Sequence, residues 1–101
     1  MALTNEQFLL AKLAEECAEV SQRALKQMQF GRDEVQPGQP LSNAERLRAE
    51  LNDLLAMVSI LEAIGEVPCI PFGAFDEIVD AKRAKLGKYQ RLSVELGMVE
   101  P

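Results

Sequence analysis

The sequence predicts an all-α fold in one domain spanning residues 1–101. Apolar residues recur with helical spacing in three segments, and two of these segments open on a capping box. No segment alternates apolar and polar residues in the manner of a half-buried strand. A composition of 48% hydrophobic and 27% charged residues excludes a disordered chain. Because the chain has only 101 residues, it has material for a single core.

The first helix is predicted to run from Thr4 to Phe30. Thr4 and Gln7 have the spacing of a capping box, in which the threonine hydroxyl accepts from the first turn and the glutamine reaches back. Helical periodicity continues to Phe30, and Gly31 ends it. Residues 31–41 contain two glycines and two prolines, a composition that cannot continue a helix. We therefore expect a loop over this segment.

Two further helices follow the loop. Residues 42–45, Ser-Asn-Ala-Glu, form a second capping box, and the helical period then persists to Ile64. A third helix is predicted to begin near residues 73–74 and to continue to about Tyr89, with a last helical stretch to Leu96. We expect the first two helices to form an antiparallel hairpin and the third to pack across them.

One face of the first helix combines apolar residues with carboxylates. At about 100° per residue, Leu9, Leu13 and Val20 fall on one line. Glu16 lies inside that line, and Glu19 lies at its edge one turn later. Burial of an unpaired carboxylate is costly, so a helix that only packs against a neighbour would keep both acids on the opposite face.

The second helix repeats this pattern. Its main apolar stripe consists of Leu47, Leu51, Leu54, Val58 and Leu61. Glu50 and Asp53 project from the apolar flank beside the stripe, and their i, i+3 spacing places them on one face, about 4.5 Å apart along the axis. Antiparallel packing with axes roughly 8–10 Å apart brings the acidic pairs of the two helices into one pocket.

Four carboxylates in a partly dry pocket require neutralisation by protons or cations. Carboxylate oxygens are the ligands that Mg²⁺ and Mn²⁺ prefer, so the pattern predicts a magnesium site, with manganese as a possible substitute, and two such ions would balance four carboxylates. The alternative is that the acids are solvated or paired along their own helices, Glu19 with Arg23 and Glu50 with Arg46.

Composition narrows the chemistry further. The chain has no histidine, which excludes Ser-His-Asp and Cys-His catalysis and the usual zinc sites. A formal net charge of −5 is unsuited to a polymeric nucleic acid partner. Cys17 and Cys69 lack CxxC spacing, so we expect reduced thiols in a cytoplasmic protein, with Cys17 packed in the apolar line. No signal sequence or membrane span is expected.

The acidic residues read EExxE over residues 15–19 and ExxD over residues 50–53. This pattern resembles the signature of the MazG-like, all-α nucleoside triphosphate pyrophosphohydrolases. That superfamily also includes dimeric dUTPases, dCTP pyrophosphatases and phosphoribosyl-ATP pyrophosphohydrolase. The likeness covers most of the chain, from the first helix through the third.

The resemblance assigns four carboxylates to the magnesium site: Glu16, Glu19, Glu50 and Asp53. It also implies that either Glu15 or Glu16 orients the attacking water as the catalytic residue. The 30 residues between Glu19 and Glu50 are at or beyond the long end of the family's spacing, and residues 31–41 account for them. The third helix also lacks the asparagine that many relatives use near the substrate, so base preference does not carry over.

The activity that the resemblance implies is Mg²⁺-dependent hydrolysis of a nucleoside triphosphate between its α- and β-phosphates. The products are a nucleoside or deoxynucleoside monophosphate and pyrophosphate, and the role is nucleotide-pool control or house-cleaning. Two alternatives remain open. One is a phosphoribosyl-ATP or nucleoside diphosphate hydrolase of the same superfamily, and the other is a non-enzymatic helical assembly or adaptor module.

The third helix supplies the candidate substrate-binding residues: Lys82, Lys85, Lys88 and Tyr89. Lys82, Lys85 and Tyr89 share a face, where the amines are suited to phosphate oxygens and the ring to stacking. The alternative is a solvated basic face near a helix C-terminus. Phe72 and Phe75 either line a base pocket or, as aromatic residues commonly do, belong to the core.

The apolar surface of the second helix predicts self-association. Met57, Ile60 and Ile64 widen its stripe to more than half of the circumference, which one partner helix cannot cover. We therefore expect a homodimer or homotetramer in which a helical bundle is completed across subunits.

Overall fold

A computed structural model describes residues 2–101 of the chain. Within that range it contains three helices and no strands: α1 (Asn5–Phe30), α2 (Asn43–Ala63) and α3 (Phe75–Glu95). The all-α prediction is therefore confirmed. The chain divides into two compact units, Met1–Pro68 and Cys69–Pro101, and the first holds α1 and α2 while the second holds α3.

Both predicted capping boxes are present. The Thr4 hydroxyl accepts from the Gln7 backbone N–H at 3.1 Å, and the Gln7 side chain accepts from the Thr4 N–H at 3.0 Å. At the start of α2, Ser42 and Glu45 make the same reciprocal pair at 3.2 and 3.0 Å. These bonds satisfy backbone donors that have no partner inside the helix, so they fix where α1 and α2 begin.

The two helices of the first unit pack against each other along a narrow line. Leu61 of α2 is fully buried, whereas Leu13 and Val20 of α1 and Leu54 of α2 are half-buried. The flanking Ile60 keeps 44% of its surface exposed. The apolar core of this unit is therefore small, and Ile60 and Ile64, on the flank that widens the predicted stripe, are exposed.

The connection between α1 and α2 is tied to the start of α2. Asn43 is only 3% exposed, and its amide donates to the Gly31 carbonyl at 2.8 Å and to the Glu34 carboxylate at 3.3 Å. Val35 and Ser42 form an isolated antiparallel bridge within this otherwise irregular segment. Gly31 itself has φ of 91°, a conformation that favours glycine, and it ends α1 as expected.

In the second unit, α3 runs without interruption through Gly87, and Gly97, with φ of 75°, follows its end. Its N-terminal residue has no side-chain cap, since Ala74 occupies that position. No helix over residues 2–101 is long and apolar enough to cross a lipid bilayer.

Three side chains that the sequence favours as core are exposed: Cys17, Phe72 and Phe75. Cys17 lies beside the packing line of α1, and that line is too narrow to cover it. Phe72 and Phe75 belong to a unit that contains one helix and therefore has no second element of its own to cover them. Cys17 and Cys69 form no disulfide in the described structure, and their reduced state stays a prediction.

Candidate metal centre

Three of the predicted metal ligands converge on one point. Glu16 of α1 and Glu50 and Asp53 of α2 each offer a carboxylate oxygen, and these oxygens all lie within 4.8 Å of one another. The i, i+3 spacing brings Glu50 and Asp53 onto one face of α2, and the packing of α1 against that face adds Glu16. Carboxylates from both helices thus meet, as the sequence predicts.

The carboxylates of this triad, Glu16, Glu50 and Asp53, are unequally exposed. Glu16 and Glu50 are half-buried, and the Oε2 atom of each is shielded from solvent with no hydrogen-bond partner in the described structure. Asp53 is exposed. Buried polar atoms normally find a partner, and either a bound cation or protonation of the acids would satisfy the two shielded oxygens.

The electrostatics agree with this geometry. Burial raises the pKa of Glu16 first, and the neighbouring carboxylates Glu19, Asp53 and Glu15 raise it further. Burial likewise raises the pKa of Glu50, with Glu19, Asp53 and Glu16 adding to the effect. Each ionised acid therefore disfavours ionisation of the next, and a divalent cation would relieve that repulsion.

The other two predicted acids stand apart from the triad. Glu19 lies close enough to raise the pKa of both Glu16 and Glu50, but it is not among the three carboxylates that share one point. Glu15 is exposed, and its carboxylate accepts from the Lys12 ammonium at 3.1 Å. The predicted roles of Glu19 as a ligand and of Glu15 or Glu16 in catalysis stay predictions.

The alternative of neutralisation by nearby arginines is not realised within residues 2–101. Neither Glu19 and Arg23 nor Glu50 and Arg46 form an ion pair there. Arg46 instead donates to the Gln36 side chain at 2.9 Å. The carboxylate cluster thus keeps its charge uncompensated by the two cations that are best placed to offset it.

A cavity of about 420 Å³ adjoins the cluster. Glu19, Arg23, Arg46 and Glu50 line it from the helices, and residues 39–41 line it from the connection. Arg23 is 9% exposed, and its Nη1 atom is shielded from solvent without a hydrogen-bond partner in the described structure. The volume is within the range of small-molecule sites.

Sequence reasoning treated Arg23 only as a possible partner of Glu19 and missed the cavity. The available signal was spacing, because Arg23 follows Glu16 by seven residues and Glu19 by four, which places all three on one helical face. On α2, Arg46 precedes Glu50 by four residues. Each helix therefore has an arginine one turn from one of its acids, about 6 Å along the axis.

The predicted substrate-binding residues belong to the second unit. Lys82, Lys85, Lys88 and Tyr89 all lie within α3, and all four side chains are exposed. Their exposure is compatible with either alternative that the sequence left open, phosphate contact or a solvated basic face. Their role in substrate binding stays a prediction.

The triad meets the chemical requirements of a hard divalent cation. Carboxylate oxygens are its only potential ligand atoms, and Mg²⁺ and Mn²⁺ prefer such oxygens. The shielded Oε2 atoms of Glu16 and Glu50 are potential ligand atoms that have no hydrogen-bond partner elsewhere in the described chain.

Comparison with known proteins found no matching protein family, curated protein or solved structure.

Proposed function

We propose that this protein is a Mg²⁺-dependent nucleoside triphosphate pyrophosphohydrolase, with Mn²⁺ able to replace Mg²⁺. The observation that carries the proposal is the meeting of Glu16, Glu50 and Asp53 within 4.8 Å, with shielded and unpartnered oxygens on two of them. The EExxE and ExxD motifs, which resemble those of MazG-like enzymes, supply the reaction class. The substrate is a nucleoside triphosphate in the nucleotide pool.

Glu16, Glu50 and Asp53 hold the cation in this proposal, and Glu19, beside Glu50, is the fourth predicted ligand. A bound Mg²⁺ supplies charge neutralisation for the triphosphate and lowers the pKa of water. Cleavage separates the α- from the β-phosphate and leaves a monophosphate and pyrophosphate.

The attacking water requires a base in this reaction. As its oxygen bonds to phosphorus, the bridging P–O bond breaks and a carboxylate takes the proton. Glu15 and Glu16 are the candidates for this role. Glu16 already lies in the cluster, whereas Glu15 would first have to leave its ion pair with Lys12.

The proposal extends to the assembly. Asn43, at the start of α2, bonds to Gly31, just after the end of α1, and Asp53, farther along α2, meets Glu16, farther back along α1, which supports an antiparallel hairpin. The exposure of Leu25, Leu55 and Met28, between 59% and 78%, supports burial against another copy of the chain. A homodimer or homotetramer with a shared helical bundle accounts for these surfaces.

A product analysis tests the activity. The protein is incubated with Mg²⁺ and a panel of ribo- and deoxyribonucleoside triphosphates, and pyrophosphate and orthophosphate are detected separately. We expect equal amounts of monophosphate and pyrophosphate from at least one substrate. Phosphoribosyl-ATP and nucleoside diphosphates are included because the superfamily resemblance leaves them open. Release of orthophosphate alone, or no turnover of any of these compounds, contradicts the proposal.

The assembly is tested by the mass of the protein in solution. Gel filtration with light scattering at micromolar concentration is expected to give twice or four times the 11.2 kDa of one chain. A mass of one chain under these conditions contradicts the proposed bundle between subunits.

A further inference from the structure

The cavity beside the acidic triad combines opposite charges in an unusual way. In a chain with a net charge of −5, Arg23 and Arg46 line the same space, and Glu19 and Glu50 border it. The arginines lie one helical turn from the acids on both helices, about 6 Å along the axis. The cavity therefore has a cationic part and an anionic part.

Arg23 is the feature of this cavity that indicates a ligand. Its side chain is more than nine-tenths buried, and the Nη1 atom has neither solvent contact nor a hydrogen-bond partner within residues 2–101. A guanidinium always carries its charge, so burial without a partner is costly. Glu19 and Glu50 line the same cavity but form no ion pair with Arg23 or Arg46.

Arg46 is held in place by a neutral partner. Its Nη1 donates to the Gln36 side chain at 2.9 Å, and Gln36 belongs to the connection between α1 and α2. Because an amide does not neutralise a cation, Arg46 keeps its charge while its position is fixed. Guanidinium groups suit phosphate oxygens because their planar donors form paired, charge-assisted hydrogen bonds.

We propose that this cavity is the binding site for a phosphate group of the substrate, with Arg23 and Arg46 as its cationic contacts. The substrate part of this inference rests on the proposed function. Because Glu19 and Glu50 repel an anion, a divalent cation at the triad strengthens phosphate binding in the cavity. The arginines therefore hold one phosphate while the cation at the acids neutralises another part of the same polyphosphate.

Pyrophosphate is the probe for this site. Its affinity is measured by calorimetry in saturating Mg²⁺ for the wild-type chain and for Arg23→Gln and Arg46→Gln. Each variant is expected to lose about tenfold or more in pyrophosphate affinity, because a charge-assisted hydrogen bond is lost. Arg48→Gln is the matched control, since Arg48 is exposed on α2 and its Nε bonds to Asn52 at 3.0 Å.

Two further measurements separate this inference from its rivals. If Arg23 serves only to offset the acids, Arg23→Gln tightens Mg²⁺ binding and leaves pyrophosphate affinity unchanged, which overturns the assignment. Arg46→Gln tests the same cavity if circular dichroism shows that Arg23→Gln fails to fold. Pyrophosphate is also expected to inhibit turnover competitively, and any other inhibition pattern overturns the assignment to the substrate.

Failure of this inference is distinguishable from failure of the proposed function. Wild-type protein that binds Mg²⁺ and cleaves a triphosphate, with arginine variants that bind pyrophosphate normally, rejects the phosphate site alone. Wild-type protein that binds no Mg²⁺ rejects the proposed function. In that case arginine-dependent binding of pyrophosphate in metal-free buffer would still support an anion site in the cavity, and its absence would reject one.

Discussion

Within the α1–α2 unit, the polar groups buried near the connection differ in their hydrogen bonding from those buried at the acidic cluster and Arg23. Near the connection, Asn43 is almost fully buried, and its amide bonds to Gly31 and Glu34. About two to four turns away along the helices, shielded atoms of Glu16, Arg23 and Glu50 have no hydrogen-bond partner in the described structure. Both parts bury polar atoms, and the Asn43 amide has its partners, whereas the shielded atoms of the acids and of Arg23 have none; Gln27 Oε1 on α1 is likewise shielded without a partner.

This difference separates a structural role from a binding role. A buried polar group with all its bonds made stabilises a unique local structure, whereas a buried group without partners lowers stability unless a ligand completes it. Asn43 is of the first kind, and the acids and Arg23 are of the second. Substitutions in the two parts should therefore have opposite consequences for stability and for activity.

Removal of Glu50 is expected to have the largest effect. Glu50→Ala takes away one of the three meeting carboxylates and should reduce turnover by at least about a hundredfold, the upper scale for loss of a group that supports a metal site. The helical circular dichroism spectrum should be retained. Glu6→Gln, at the exposed first turn of α1, is the matched control. Near-normal activity of Glu50→Ala would refute the site.

Removal of the Asn43 amide is expected to affect stability and not metal binding. Asn43→Ala leaves the Gly31 carbonyl without its 2.8 Å bond and should reduce the free energy of unfolding by about 1–3 kcal/mol. Urea denaturation measures this change, and a titration should give unchanged Mg²⁺ affinity. Asn52→Ala, at an exposed position, is expected to cost less than about 0.5 kcal/mol. Equal losses in both variants would contradict the assignment.

The capping boxes offer a smaller and purely local test. Ser42→Ala removes the acceptor for the Glu45 N–H and is expected to cost about 1 kcal/mol of unfolding free energy. Thr4→Ala removes the corresponding bond at the start of α1, where an exposed helix end frays readily, and should cost about half as much. Thermal melts of both variants measure the difference. A larger loss from Thr4→Ala would reverse the expected order.

The pH dependence of stability should be the most modest effect. In the absence of metal, the pKa values of Glu16 and Glu50 lie above their ordinary 4.5, so the folded chain takes up protons at higher pH than the unfolded chain. Their contribution to stability is therefore fully present below about pH 4.5 and is lost as pH rises through the raised values.

A double variant isolates this contribution. Glu16→Gln with Glu50→Gln should lose less stability than the wild type as pH rises from 4.5 towards neutrality. Glu45 acts in the opposite sense, because hydrogen bonds from Ser42 lower its pKa, but it is common to both proteins. Saturating Mg²⁺ should reverse the trend in the wild type, since cation and proton compete for the same oxygens. If the melting temperatures of the two proteins changed with pH in the same way, the result would contradict raised pKa values at the cluster.

Local sequence signals predicted the helices well. Thr4 and Gln7, and Ser42 and Glu45, mark helix starts through bonds within four residues, so their spacing alone suffices. The acids Glu16, Glu50 and Asp53 were predictable because carboxylates interrupt apolar stripes at helical spacing.

Features that depend on distant packing were not predictable in the same way. The burial of Arg23 and the cavity require the connection to lie beside both helices, and hydrogen bonds of Asn43 and Arg46 to that segment hold it there. The exposure of Cys17 follows from the narrowness of the α1–α2 contact, which a helical wheel does not reveal.

A calorimetric titration of the metal-free protein with Mg²⁺ tests the central claim most directly. The account predicts binding at millimolar or tighter affinity, with a rise in melting temperature, and loss of both in Glu50→Gln but not in Glu6→Gln. Absence of binding heat together with an unchanged melting temperature in the wild-type protein would contradict it.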